Sequence, residues 1–153
     1  MKKILFLHGL ESSPGGKKPI FLREEGYWVV NPALPKESFK TSVEIAQDEI
    51  NRDVPDIIVG SSRGGAVAMA VDARGIKKVL IAPAHKRYNV STDSLDETTT
   101  ILHSVCDDIV PLIDSVELST AYGCRIHVCG ADHRMSDPDA LKMLKAAIRE
   151  SFE

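Results

Sequence analysis

Residues 60–64 read Gly-Ser-Ser-Arg-Gly and stand between an apolar run and a helical pattern of small residues. This order predicts a strand, a sharp turn and a helix, the context in which a G-x-S-x-G motif forms a nucleophile elbow. Ser62 must be the central serine, because the frame around Ser61 would require glycine at Val59 and Arg63. The motif therefore points to an α/β fold and makes Ser62 the candidate nucleophile.

Along the rest of the chain, short β-rich runs alternate with helical patterns, without an internal repeat or an interdomain linker. Such alternation predicts βαβ crossovers, with helices on both faces of a parallel sheet. We expect one domain over residues 1–153. The predicted strands cover 3–7, 27–31, 56–59, 78–81, 99–105 and 125–129. The predicted helices cover about 17–25, 42–52, 63–74, 113–121 and 138–151, and Gly75 is expected to end the third of them.

Three predicted loops at the carboxyl ends of the strands carry the groups that acyl transfer needs. Ser62 follows the third strand, Asp107 the fifth and His133 the sixth, and functional groups collect at these ends of a parallel sheet. The chain order Ser, Asp, His is that of α/β-hydrolases. We therefore expect a three-layer α/β-hydrolase fold with a reduced, mainly parallel sheet of about six strands. The stretch 83–99 is too short for a large lid.

The chemistry assigns a role to each of these residues. A serine hydroxyl is a weak nucleophile, so His133 would accept the Ser62 proton during attack and return it to the leaving group. Asp107 would fix the imidazole tautomer and stabilise the imidazolium. The negative oxygen of the tetrahedral intermediate needs backbone donors, for which we select the N–H groups of Arg63 and Leu10.

Each role has an ordinary structural alternative. The serine could merely cap the following helix, and the histidine could be a solvated loop residue. Asp108 is a rival to Asp107, although the D-x-x-V-P frame favours Asp107. Of the other histidines, His127 lies in an apolar strand and is expected in the core, while His8 is expected to shape its loop.

Composition excludes several other classes of function. The formal charge of −3 gives no electrostatic basis for nucleic acid or an anionic membrane as partner. The glycine-rich stretches match neither the phosphate-loop nor the dinucleotide-binding pattern, so no cofactor is expected. The three cysteines form no C-x-x-C pair and predict neither a metal site nor a disulfide framework. The apolar run after Met1 ends within a few residues, too soon for a signal peptide, so we expect a cytoplasmic protein.

Three motifs resemble the signatures of one family. LHGLESSP at 7–14, PALP at 32–35 and GSSRGG at 60–65 are similar to L-H-G-x-x-S-S-P, P-x-L-P and G-S-S-x-G-G of the YqiA-like esterases, small members of the α/β-hydrolase superfamily. The similarity continues through 82–84 and, further on, Asp107 and 130–133. The resemblance implies that Ser62, Asp107 and His133 are catalytic and that the substrates are acyl esters or thioesters. The sequence departs from the family at Arg63, where leucine is common.

These observations together predict a cofactor-free serine hydrolase, an esterase or thioesterase whose partner is a small-molecule acyl ester or thioester. Without a large lid the site should be open and shallow, which favours short acyl chains. The alternative is a catalytically silent hydrolase-fold protein that acts as a binding module, because fold does not fix function.

Overall fold

The computed structural model describes residues 1–10 and 16–153 of the chain. Its strands are β1 (Lys3–Leu7), β2 (Trp28–Val30), β3 (Ile57–Ser61), β4 (Lys78–Ile81), β5 (Thr100–His103) and β6 (Arg125–Val128). Its helices are α1 (Lys17–Glu24), α2 (Phe39–Arg52), α3 (Arg63–Ala70), α4 (Leu112–Tyr122) and α5 (Pro138–Ser151). All strand pairs are parallel, in the order β2-β1-β3-β4-β5-β6. The predicted fold class is confirmed.

Both faces of the sheet are covered, which explains why β1, β3, β4 and β5 are buried along their whole length. On β1, the side chains of Leu5 and Leu7 pack with residues of α2, α3 and α4. Ile4 and Phe6 point to the other face and pack with residues of α1 and α5. Successive side chains of a strand point to opposite faces of the sheet. Because helices bury both faces, the fold has three layers: helices, sheet and helices.

The strand order reverses between β1 and β3, because β2 lies on one side of β1 and all later strands lie on the other. A crevice forms outside the carboxyl ends of the strands at such a switch point, where α/β proteins bind their ligands. The loop after β1 and the turn after β3 meet there, so topology places the loop that contains Leu10 beside Ser62.

Helix α3 ends at Ala70, earlier than the sequence predicts, and Gly75 does not end it. The side chain of Gln47 binds both backbone groups of Asp72, accepting from its N–H at 2.8 Å and donating to its carbonyl at 3.1 Å. Val71 is consequently extended, with φ of −74° and ψ of 156°. A contact from α2 therefore redirects the chain before Gly75, which lies in the following turn with φ of 81°.

The connection from β4 to β5, residues 82–99, contains no helix or strand, so the expected absence of a large lid is confirmed. Residues 11–14, which complete the first family motif, lie outside the described residues. Within residues 1–10 and 16–153, no helix is long and apolar enough to cross a membrane.

Candidate active site

Ser62 lies at the tip of the turn between β3 and α3, with φ of 56° and ψ of −115°. A side chain in this backbone region costs about 1–3 kcal/mol, and such strain is concentrated at functional sites. The Ser62 N–H donates to the carbonyl of Ile81 at 2.8 Å, and its carbonyl accepts from the Ala84 N–H at 3.0 Å. The end of β4 and the loop after it therefore hold the strained turn in place.

Two glycines make the turn possible. A Cβ on Gly60 would lie 2.5 Å from the carbonyl oxygen of Gly64, and a Cβ on Gly64 would overlap the carbonyl of Leu7. Only glycine allows α3 to start this close to β3 and β1.

The three side chains selected from the sequence form one hydrogen-bonded chain. Ser62 Oγ is 2.8 Å from Nε2 of His133, and Nδ1 of His133 is 2.7 Å from Oδ2 of Asp107. The Asp107 side chain is fully buried and that of His133 is 17% exposed. Asp108 is exposed, so the structure places Asp107 rather than its rival against the imidazole.

This order of contacts selects one tautomer of the neutral ring. The Asp107 carboxylate can only accept, so Nδ1 of His133 carries the proton and donates it. Nε2 then has the lone pair and can accept from the hydroxyl of Ser62. The arrangement can therefore withdraw the serine proton as the oxygen attacks.

Several donors stabilise the charge of Asp107. Its Oδ1 accepts the N–H groups of Ile109 and Val110, each at 2.8 Å. Burial by itself would raise the pKa of Asp107. The hydrogen bonds from His133, Val110 and Ile109 outweigh burial and hold this pKa below its ordinary value. Asp107 is thus ionised at neutral pH.

The loop that carries His133, residues 130–137, is named the base loop here. Its backbone is held by carboxylates at the start of α5. Asp137 accepts from the N–H of Ala131 at 2.9 Å and also caps α5, and Asp139 accepts from the N–H of Gly130 at 2.9 Å. The helix end and the base loop therefore fix each other.

Lys18 on α1 contacts the base loop through its ammonium group. Its Nζ donates to the carbonyl of Arg134 at 2.5 Å and lies 3.5 Å from Oγ of Ser136. Burial lowers the pKa of Lys18 to about 8, although the nearby carboxylate of Asp132 acts in the opposite direction. A buried cation thus binds the loop that presents the imidazole, a role that its sequence position did not reveal.

The loop after β1 lies against the elbow. A Cβ on Gly9 would be 3.4 Å from Cβ of Ser62. Among the described residues, the N–H groups of Leu10 and Arg63 meet no acceptor, which leaves both available to an oxyanion. His8 shapes this loop as expected, since Nδ1 donates to the Gly9 carbonyl at 2.9 Å and Nε2 accepts from the Leu34 N–H at 3.1 Å.

The side chain of Arg63 is 2% exposed and joins two segments that border the site. Its guanidinium donates to Oγ of Ser42 at 3.0 Å and to the carbonyl of Pro35 at 2.9 Å. Its central carbon lies 5.6 Å from the ring centres of Phe39 and Tyr88, which stack on each other. Arg63, at the elbow position where leucine is common in the family, therefore connects α2 with the loop after β4 through buried contacts.

Two further histidines lie near carboxylates. His127 is half-buried, 3.8 Å from the carboxylate of Glu150, because β6 is an edge strand; its expected place in the core is wrong. His103 is fully buried, with Nε2 3.2 Å from Oδ2 of Asp107. Sequence reasoning gave His103 no partner, and its position four residues before Asp107 was the only signal.

A cavity of about 170 Å³ adjoins the site. It is bordered by Ala84, whose N–H binds Ser62, and by Val110, whose N–H binds Asp107.

Across residues 1–10 and 16–153, no cluster of three or more His, Cys, Asp or Glu side chains could hold a metal ion. Cys124 and Cys129 are buried, whereas Cys106 is exposed.

The model of an uncharacterised protein family, UPF0227, matches residues 3–122 and confirms the resemblance to YqiA-like proteins. No match is found among curated proteins. Solved structures with the same fold include a protein of Agrobacterium vitis S4, with TM-score 0.82 and 19% identity over 99% of this chain and 88% of that one. Mouse alpha/beta hydrolase domain-containing protein 10 has TM-score 0.75 and 18% identity over 97% and 88%. Est1E from Butyrivibrio proteoclasticus has TM-score 0.73 and 18% identity over 97% and 86%.

Proposed function

The chain belongs to the uncharacterised protein family UPF0227, and we propose that it is a serine hydrolase that cleaves carboxylic esters or thioesters of small acyl groups. The observation that carries the proposal is the continuous hydrogen-bonded chain from Ser62 Oγ through His133 to Asp107. A strained serine, a correctly oriented imidazole and a buried, ionised carboxylate are together the requirements of acyl transfer.

In the proposed cycle, Ser62 Oγ attacks the acyl carbon while its proton passes to Nε2 of His133. The N–H groups of Arg63 and Leu10 bind the oxyanion of the tetrahedral intermediate. The bond to the leaving oxygen or sulfur then breaks, and His133 protonates the departing alkoxide or thiolate. Nε2 of His133 then takes a proton from water as the water attacks the acyl carbon. The bond between the acyl carbon and Oγ of Ser62 breaks, His133 returns the proton to Oγ, and the acid is released.

The surroundings of the site favour small acyl groups. The connection over 82–99 has no helix or strand that could cover a long chain. We expect the specificity constant kcat/KM to be highest for two- to four-carbon esters. A steady rise from acetate to long-chain esters would contradict this expectation.

Covalent labelling with a fluorophosphonate tests the proposal directly. Mass spectrometry should find the label on Ser62, lost completely in Ser62→Ala and strongly reduced in His133→Ala. Ser61→Ala is a matched control, because it removes a neighbouring hydroxyl and should label as the wild type does. Folded wild-type protein that is not labelled would favour the binding-module alternative.

The pH dependence tests the assignment of the base. Since the pKa of Asp107 lies below its ordinary value, this carboxylate keeps its charge well below neutrality. Loss of kcat/KM on acidification should therefore follow protonation of a group other than Asp107. An acidic limb that persists unchanged in His133→Ala would exclude His133 as the base.

A further inference from the structure

His103, at the end of β5, contacts the Asp107 carboxylate from within the core. Its Nε2 lies 3.2 Å from Oδ2 of Asp107, the oxygen that also accepts from His133. The same nitrogen is 2.9 Å from the carbonyl oxygen of Val110, and Nδ1 is 2.6 Å from Oγ of Ser115. Both His103 and Ser115 have no exposed surface. The carboxylate therefore lies between two Ser–His pairs, one at the candidate site and one buried.

The contacts of His103 determine where its ring carries a proton. Nε2 faces a carbonyl and a carboxylate, which can only accept, so Nε2 must be protonated. In the neutral ring Nδ1 then has the lone pair, and the hydroxyl of Ser115 donates to it. Ser115 thus selects the tautomer in which Nε2–H donates to the Val110 carbonyl, with Oδ2 of Asp107 3.2 Å from the same nitrogen.

From this geometry we propose that His103, oriented by Ser115, is a positioning residue that fixes Oδ2 of Asp107 and offsets part of its negative charge. The inference rests on the proposed function, because His103 acts on the reaction only through Asp107. Backbone N–H groups already hold Oδ1, so His103 completes the fixation of the carboxylate.

The offset charge has a chemical consequence at His133. A less negative Oδ2 stabilises the imidazolium of His133 less than an unopposed carboxylate would. The ionisable neighbours in the two loops, Asp108, Asp132 and Arg134, are exposed, and solvent screens their charges.

The test follows the His133 ring by NMR titration and, in parallel, the pH dependence of kcat/KM for an acetate ester. His103→Leu should raise both midpoints by about half a pH unit and lower kcat roughly tenfold with little change in KM. His103→Gln can place an amide N–H where Nε2–H was, and should restore most of both properties. Ser115→Ala should shift the midpoints in the same direction by less.

The matched control is His127→Gln, on the neighbouring strand beside Glu150, which should change neither midpoint. An unchanged or lowered ring midpoint in folded His103→Leu would overturn the proposal; if that variant does not fold, Ser115→Ala decides by the same criterion. An inactive wild type whose ring midpoint still rises in the variant would contradict only the proposed function. An active wild type with an unmoved midpoint would contradict only the role of His103.

Discussion

The elbow at 60–65 and the base loop at 130–137 lie at the same edge of the sheet, but they are fixed in different ways. At the elbow, glycine backbone packs against glycine backbone, and main-chain hydrogen bonds of Ser62 with Ile81 and Ala84 hold the turn. In the base loop, backbone groups are held by side chains that come from α5, from α1 and from Ser104, whose Oγ donates to the carbonyl of Gly130 at 2.9 Å.

This difference predicts that substitutions affect the position of the proposed nucleophile, Ser62, and that of the proposed base, His133, in different ways. At the elbow, an added side chain would meet backbone atoms, and tightly packed backbone cannot shift to accommodate it. Hydrogen bonds of about 0.5–1.5 kcal/mol each hold the base loop, and they can be removed one at a time. A single added side chain at the elbow should therefore displace Ser62 completely. In the base loop, each hydrogen bond that is removed should displace His133 only in part.

The largest effect is expected from removing the nucleophile. Ser62→Ala should lower ester hydrolysis by roughly 10⁴–10⁶-fold, measured with an acetate ester. Ser62→Gly should be equally inactive yet more stable than Ser62→Ala by about 1 kcal/mol in denaturant unfolding, because glycine accepts the positive φ. Equal stability of the two variants would mean that the elbow stores no strain.

The steric contrast is tested by placing alanine in both regions. Gly64→Ala should destabilise the protein by about 4 kcal/mol or more, since its Cβ meets the backbone of Leu7. Gly130→Ala, with φ of 86°, meets mainly the flexible side chain of Met135 and should cost about 1–3 kcal/mol. Urea unfolding of both variants measures the loss in free energy of unfolding. Equal losses would show that the elbow and the base loop tolerate an added side chain equally.

Lys18 beneath the base loop predicts a pH-dependent stability. Its pKa is about 8 in the folded protein against an ordinary value of 10.5, so between these values the unfolded chain binds more protons than the folded protein. Folding stability therefore rises with pH through this interval, by up to about 3 kcal/mol relative to Lys18→Met. A difference between the two proteins that stays constant from pH 7 to 10.5 would contradict the burial of this amine.

The smallest effect is expected at the helix cap. Asp137→Ala should cost about 1–2 kcal/mol and lower kcat severalfold, because the same carboxylate holds the N–H of Ala131. Ser38→Ala removes the corresponding cap of α2 and should lose similar stability with kcat unchanged. Equal kcat in the two variants would show that the cap contributes nothing to the position of His133.

Most secondary structure could be predicted from local pattern. The helix predicted over 138–151 is α5, and the apolar runs indicated the strands to within a few residues. The end of α3 was predicted wrongly because a side chain from α2 binds the backbone of Asp72. No local pattern contains a contact between residues so far apart in the chain.

The candidate site was predictable to a similar degree. The chain order and the motif selected Ser62, Asp107 and His133, since each follows a strand that ends at the same edge. The environment of Asp107 was not predictable, because His103 is an ordinary apolar-strand residue in sequence and becomes a partner only when the next loop folds back on it. Lys18 likewise contacts the base loop from the other end of the chain.

By itself, the amino-acid sequence determined the strands, the glycine-framed turn and the residue types able to perform acyl transfer, because these depend on periodicity, backbone sterics and side-chain chemistry over a few neighbouring residues. Only the tertiary structure decided which aspartate meets the imidazole, which histidine lies behind that aspartate, and what holds the base loop. Those choices depend on the distances between segments, which are set by how the helices pack on the sheet.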